Sequence, residues 1–154
     1  MGEGAELPRA VLFACSRNAA RSPMAAAILK HLAGRRLYVD SAGVRAGAPD
    51  PFAAAVMAEI GIDLSGRRPK SFGELTDMAF DLIVNLSPEA HHRALKLAQG
   101  HAVAVEYWPT PDPSLTEGSR AQILEAYRAL RDDLIRRITA RFPIAGSIQR
   151  VGPG

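Results

Sequence analysis

The chain holds one cysteine, Cys15, and an arginine, Arg21, stands six residues after it. The segment reads Cys15-Ser16-Arg17-Asn18-Ala19-Ala20-Arg21-Ser22-Pro23, between the apolar run Val11–Ala14 and a stretch rich in Ala, Met and Leu. A thiol at the end of a strand, followed by a tight loop and a helix start, sits where backbone N–H groups and the positive helix end converge. That environment favours a thiolate and binds an oxyanion. The six-residue spacing lets the loop curl until Cys15 and Arg21 face the same anion, whose oxygens the planar guanidinium fork can hold in pairs. Asn18 is one of the few non-glycine residue types that tolerate positive φ, which would let the amides converge. Ser22 is placed to donate its hydroxyl to the thiolate. Arg17 reads equally as a contact to substrate or as a solvated side chain.

Such a loop needs a rigid frame, and the sequence supplies an alternating one. Short apolar runs at 11–14, 37–39, 80–86 and 102–108 have the length and composition of strands buried on both faces. Helical stretches fall between and after them, at 23–32, 51–60, 88–98 and 120–142. In the last, Ile123, Leu124, Tyr127, Leu130, Leu134, Ile135 and Ile138 form an apolar stripe, and Arg128, Arg131, Arg136, Arg137 and Arg141 read as its solvated side. Strands and helices that alternate without hairpin signals predict an α/β fold. The expectation is a single three-layer domain over 9–142, a four-stranded parallel sheet flanked by helices, with the phosphate-binding loop between the first strand and first helix. Residues 1–8 and 143–154 read as tails. Ligands of such sheets bind beyond the carboxyl ends of the strands, where Cys15 lies.

Composition narrows the classes. The 154 residues are 47% hydrophobic and 23% charged with a net charge of +3, ordinary for a globular domain. That charge is too small and too mixed along the chain to call for nucleic acid. No run approaches the roughly 18 apolar residues of a membrane span. The start carries acid early and has no apolar run before Val11, so it does not read as a secretory signal, and the expected location is cytoplasmic. A lone cysteine excludes an intrachain disulfide and a multi-thiolate metal site, and neither metal nor cofactor is expected. His91 and His92 are adjacent and point apart on a helix, which suits surface or capping roles. Trp108 reads as core at a strand end.

The pattern C-x-x-N-x-x-R-S-P near the amino terminus resembles the low-molecular-weight protein tyrosine phosphatases and the arsenate reductases that share their fold. The matching pieces continue through Tyr38–Val44, Gly61–Phe72, Phe80–Leu86 and Pro111–Pro113, so the resemblance spans nearly the whole chain. It implies Cys15 as nucleophile, Arg21 as transition-state binder, Asn18 as loop-shaping residue, Ser22 as thiolate support, Ser41 as partner of Asn18, and Asp112 as general acid. The implied activity is hydrolysis of phosphotyrosine or related phosphomonoesters through a thiophosphate intermediate, on a phosphorylated protein or a small ester. The alternative is arsenate reduction coupled to an external low-molecular-weight thiol. Two departures bear on that choice. Ser114 and Leu115 follow the Asp-Pro where phosphatases of this class carry aromatics, and the loop before Phe52 offers Arg45 and Asp50 but no aromatic ring. Trp108 to Pro113 and the stretch 128–138 look closer to the reductases, yet residues 85–95 hold no cysteine for an internal disulfide relay.

Overall fold

Alternate residues of the first strand serve two different cores. In the computed structural model, which describes residues 7–75 and 79–144, β1 (Ala10–Cys15) sends Val11, Phe13 and Cys15 to one face of the sheet and Leu12 and Ala14 to the other. Burial on both sides is why this run is continuously apolar. β2 (Tyr38–Gly43) and β3 (Leu82–Asn85) pair with β1 in parallel, and β4 (Ala104–Tyr107) pairs with β3, giving the order β2-β1-β3-β4. On one face, α1 (Arg21–Ala33), α2 (Pro51–Ala58) and α4 (Arg120–Arg141) pack Met24, Ile28, Val56, Met57, Leu134 and Ile138 onto the sheet. On the other, α3 (Pro88–Ala98) contributes Ala90 and Ala94, joined by Phe72 and Phe80. The α/β fold expected from the sequence, a four-stranded parallel sheet between helices, is the fold observed. Strand order reverses direction at β1, so its carboxyl end faces a crevice where neighbouring connections diverge.

Several boundaries differ from the sequence reading, each for a physical reason. β2 extends through Asp40, Ser41, Ala42 and Gly43 because these residues pair with Leu12 to Cys15 of β1. α1 opens at Arg21, which leaves Pro23 third in the helix, still in the first turn where a missing N–H costs nothing. β4 is an edge strand with exposed ends, not one buried on both faces. The arginines of α4 are only partly a solvated face: Arg136 is exposed, but others are not. Arg131 is buried and donates to the carbonyl of Val56 (2.9 Å) and to Glu59 (2.7 Å), while Arg128 holds Glu59 (2.8 Å) and Arg141 holds Glu106 (2.8 Å). These bonds tie α4 to α2 and β4. Leu7 and Ile144, inside the stretches read as tails, pack on the main core, and the rest of those stretches, 1–6 and 145–154, lies outside the described residues. Among the described residues no helix is long and apolar enough to cross a membrane.

Candidate active site

The loop after β1 is held from outside. The carbonyls of Cys15, Ser16 and Arg17 accept from the N–H groups of Val44 (3.1 Å), Arg45 (3.0 Å) and Gly47 (2.8 Å), and the carbonyl of Asn18 accepts from Arg67 (3.1 Å). In a trans peptide the N–H points opposite the carbonyl. Four carbonyls turned outward therefore turn the N–H groups of Ser16, Arg17, Asn18 and Ala19 inward, which is the geometry of an anion cradle. α1 completes it, because its N-cap is Ala20 and no side chain caps its first turn. Gly43 permits this close packing: a Cβ there would lie 2.6 to 2.8 Å from the backbone of Arg45, Asn18 and Arg17.

Asn18 is the hub beneath the cradle. It has φ +54°, the one positive value at a non-glycine position among the described residues. Its Nδ2 donates to Ser22 Oγ and Ser41 Oγ, both at 2.9 Å, and its Oδ1 accepts from Arg67 (2.6 Å) and from the N–H of Lys70 (2.9 Å). Because Ser22 Oγ accepts from Asn18, its own proton is directed to Cys15 Sγ at 3.0 Å, with the Ala42 carbonyl a longer acceptor at 3.4 Å. Burial pushes the Arg67 guanidinium down, opposed by the charges of Asp40 and Cys15. It remains a cation, since its starting value is far above neutrality. Lys70 closes the back of the site with an ion pair to Asp40 (2.7 Å).

Arg21 and Asp112 meet at the open side. Arg21 donates to the carbonyl of buried Thr110 (2.9 Å) and lies 3.8 Å from Asp112 Oδ2. Asp112 is set by its own turn, accepting from the N–H (3.0 Å) and hydroxyl (2.7 Å) of Ser114. Arg137 of α4 donates to Thr110 Oγ1 (3.2 Å) and the carbonyl of Pro109 (3.1 Å), so the last helix supports the segment that orients Arg21. Cys15, Arg21 and Asp112 line one cleft of about 310 Å³, whose outer wall is Phe52, Ile123 and Tyr127. Asp50 caps α2 through the N–H groups of Phe52 and Ala53 and accepts from the Tyr127 hydroxyl (2.6 Å). Burial, and then that bond to a carboxylate, push the Tyr127 hydroxyl up, so the ring stays a neutral donor.

The sequence-selected residues Cys15, Asn18, Arg21, Ser22, Ser41 and Asp112 thus converge on one end of the sheet. Arg45 does not face the cleft but pairs with Glu89 of α3 (2.8 Å), while Ser16 Oγ meets Ser87 Oγ (3.0 Å). His91 stacks on Tyr107 with ring centroids 4.9 Å apart, a packing role, and His92 is exposed. Trp108 packs edge-on against Phe13. Three contributors were not legible. Arg67 had no pattern beyond its place in a matching segment, Tyr127 was absorbed in the apolar stripe of α4, and Thr110 acts through its carbonyl.

With the geometry in place, comparison with known proteins is direct. The family model described as low molecular weight phosphotyrosine protein phosphatase matches residues 10–141. A glutaredoxin arsenate reductase of Synechocystis sp. is 30% identical over 135 residues, covering 83% of this chain and 92% of that protein. An arsenate reductase solved in the phosphate binding state superposes with a TM-score of 0.69 at 27% identity, covering 88% of this chain and 97% of the other. The low molecular weight protein tyrosine phosphatase of T. tengcongensis gives a TM-score of 0.67 at 26% identity, with 82% and 92% covered.

Proposed function

The chain belongs to the low molecular weight phosphotyrosine protein phosphatase family, and on that premise we propose that it is a cysteine-dependent phosphatase of phosphotyrosine or related phosphomonoesters. The observation that carries this reading is the shape of the cleft. Above the anion cradle, Phe52, Ile123 and Tyr127 form an apolar wall that suits an organic leaving group. A bare inorganic oxyanion would have no use for it. The aromatic side that the sequence lacks after Asp112 is supplied from α2 and α4.

In the first step Cys15 Sγ attacks phosphorus in line. An S–P bond forms, the P–O bond breaks, and its electron pair leaves on the ester oxygen, which takes the proton of Asp112. Inward N–H groups and Arg21 hold the equatorial oxygens, and because their positions are already fixed they stabilise the transition state with little reorganisation. In the second step Asp112, now a carboxylate, takes a proton from water as that water attacks phosphorus. The S–P pair returns to Sγ, where Ser22 donates to the thiolate. The fixed amides and guanidinium do the charge stabilisation that a metal would otherwise provide.

A second reading, arsenate reduction, is favoured by the activity named for the Synechocystis relative. Cys15 would attack arsenic with loss of water. An external thiol would then attack Cys15 Sγ, releasing arsenite and leaving a mixed disulfide. A second thiol would restore Cys15, so two thiols supply the two electrons. The chain has only one cysteine, so both must come from outside. Hydrolysis of p-nitrophenyl phosphate, measured beside thiol-dependent arsenate reduction with Cys15→Ser controls, separates the two. The phosphatase reading expects turnover of the ester, and turnover of arsenate alone would overturn it.

A further inference from the structure

Two guanidinium groups, one lining the cleft and one beside its Phe52 wall, are not used by the chemistry above. Arg17 lines the cleft and is exposed, and its stem rests on Gly47, where a Cβ would come within 3.0 Å of Arg17 Cβ. The N–H of Gly47 also donates to the Arg17 carbonyl (2.8 Å), so this residue is seated, not trailing. Arg120, the first residue of α4, lies over the ring of Phe52, 5.4 Å from its centroid, and Phe52 lines the cleft. Among the described residues neither makes an ion pair, whereas Arg45, Arg128, Arg131, Arg136, Arg137 and Arg141 all do. The nearby carboxylates are committed: Asp50 to two N–H groups and Tyr127, and Asp112 to Ser114 and Arg21. Glu117, next to cleft-lining Thr116, is exposed and makes no ion pair among the described residues, which leaves two cations against one anion without such a partner there.

We propose that Arg17 and Arg120 form a second anion-recognition point that selects phosphomonoesters whose leaving group bears a carboxylate or other negative charge beside the phosphorylated ring. The inference rests on the phosphomonoester reading for its substrate class. The bound phosphoryl group sits on the cradle, the ring lies along Phe52 and Tyr127, and the extra charge falls at the rim between the two guanidinium groups. Inorganic arsenate, with no such appendage, gains nothing from them. The contacts are solvent-exposed, so each adds a modest factor, and salt screens it.

The test measures binding, so it does not depend on turnover. Two phosphonomethyl-phenylalanine peptides that differ by Asp against Asn beside the phosphonate are titrated into the wild-type protein, along with 4-(phosphonomethyl)benzoate and its benzamide. Tighter binding of the acidic member of either pair, about threefold to tenfold at low salt and shrinking as salt rises, is the expected result. Preference in the peptide pair alone identifies a peptide acid, and preference in the small pair alone a substituent on the ring. Arg120→Gln and Arg17→Gln, with thermal melts to verify folding, should each reduce the ratio, and together bring it to about one. Equal affinities within both pairs, or a ratio unmoved by either variant, overturns the proposal. If the ratio stands but no aryl phosphate turns over, the phosphatase reading fails and the anion-recognition point stands as a binding feature only.

Discussion

At the scale of single residues the proposed phosphoryl transfer needs Cys15 and Arg21 for every substrate and Asp112 for some. Cys15→Ser and Arg21→Ala should each reduce kcat for p-nitrophenyl phosphate by several orders of magnitude while the thermal melt shows a folded protein. Asp112→Ala should cost most for esters with poor leaving groups, because only those need the proton. A series of substituted phenyl phosphates measures this, and an equal loss across the series would deny Asp112 its role. Asn18 offers a sharper test of structure. Its φ of +54° strains alanine but not glycine, and both Asn18→Ala and Asn18→Gly lose the same side-chain bonds. Urea titration should therefore find the alanine variant less stable than the glycine variant by about 1 kcal/mol. The reverse order, which helix or strand propensity would give, counts against the loop geometry.

Elements carry the residues into register, and here the sequence was legible where periodicity spoke and silent where contacts were tertiary. β1 and the start of the cradle follow from the apolar run 11–14 that leads into Cys15, and α3 from the helical stretch at 88–98. Nothing in the composition of α4 told which of its arginines were buried, because an apolar stripe marks only the core side, and Arg131 reaches past it to Val56 and Glu59. Gly43 likewise reads as an ordinary glycine until the loop is packed on it. Gly43→Ala would force backbone to move, so kcat should fall at least about tenfold with a stability loss of about 1–3 kcal/mol. The α2–α4 contact gives a pH signature. Bonds from Arg128, and then Arg131, hold the Glu59 carboxyl below its ordinary value. A carboxyl lowered by folding stabilises above its unfolded pKa of about 4.3 and loses that contribution as pH falls through the folded value. The difference in urea midpoint between wild type and Glu59→Gln should thus be present at neutral pH, shrink as pH falls below about 4.3, and vanish only below the lowered folded value.

For the whole molecule, the sheet order puts the end of β1, the Asp112 turn and the wall from α2 and α4 around one cleft, so an anion in it touches elements from across the chain. Ligand binding should consequently register as global stability. An oxyanion such as vanadate at a hundredfold excess over its Kd should stabilise by about 2.7 kcal/mol, a rise in Tm of roughly 5–10 °C at this chain length, and Arg21→Ala should lose that rise. The single cysteine, which excludes an intrachain disulfide, also limits thiol chemistry to Cys15. The central claim is that Cys15 carries the phosphoryl group between the two steps. Rapid quenching of wild-type enzyme with p-nitrophenyl phosphate, followed by mass analysis of the Cys15 peptide, reads this directly. The expected result is a burst of nitrophenolate matching the enzyme concentration and one phosphoryl group on Cys15. Nitrophenolate release with Cys15 unmodified, or release that persists in Cys15→Ser, would contradict it.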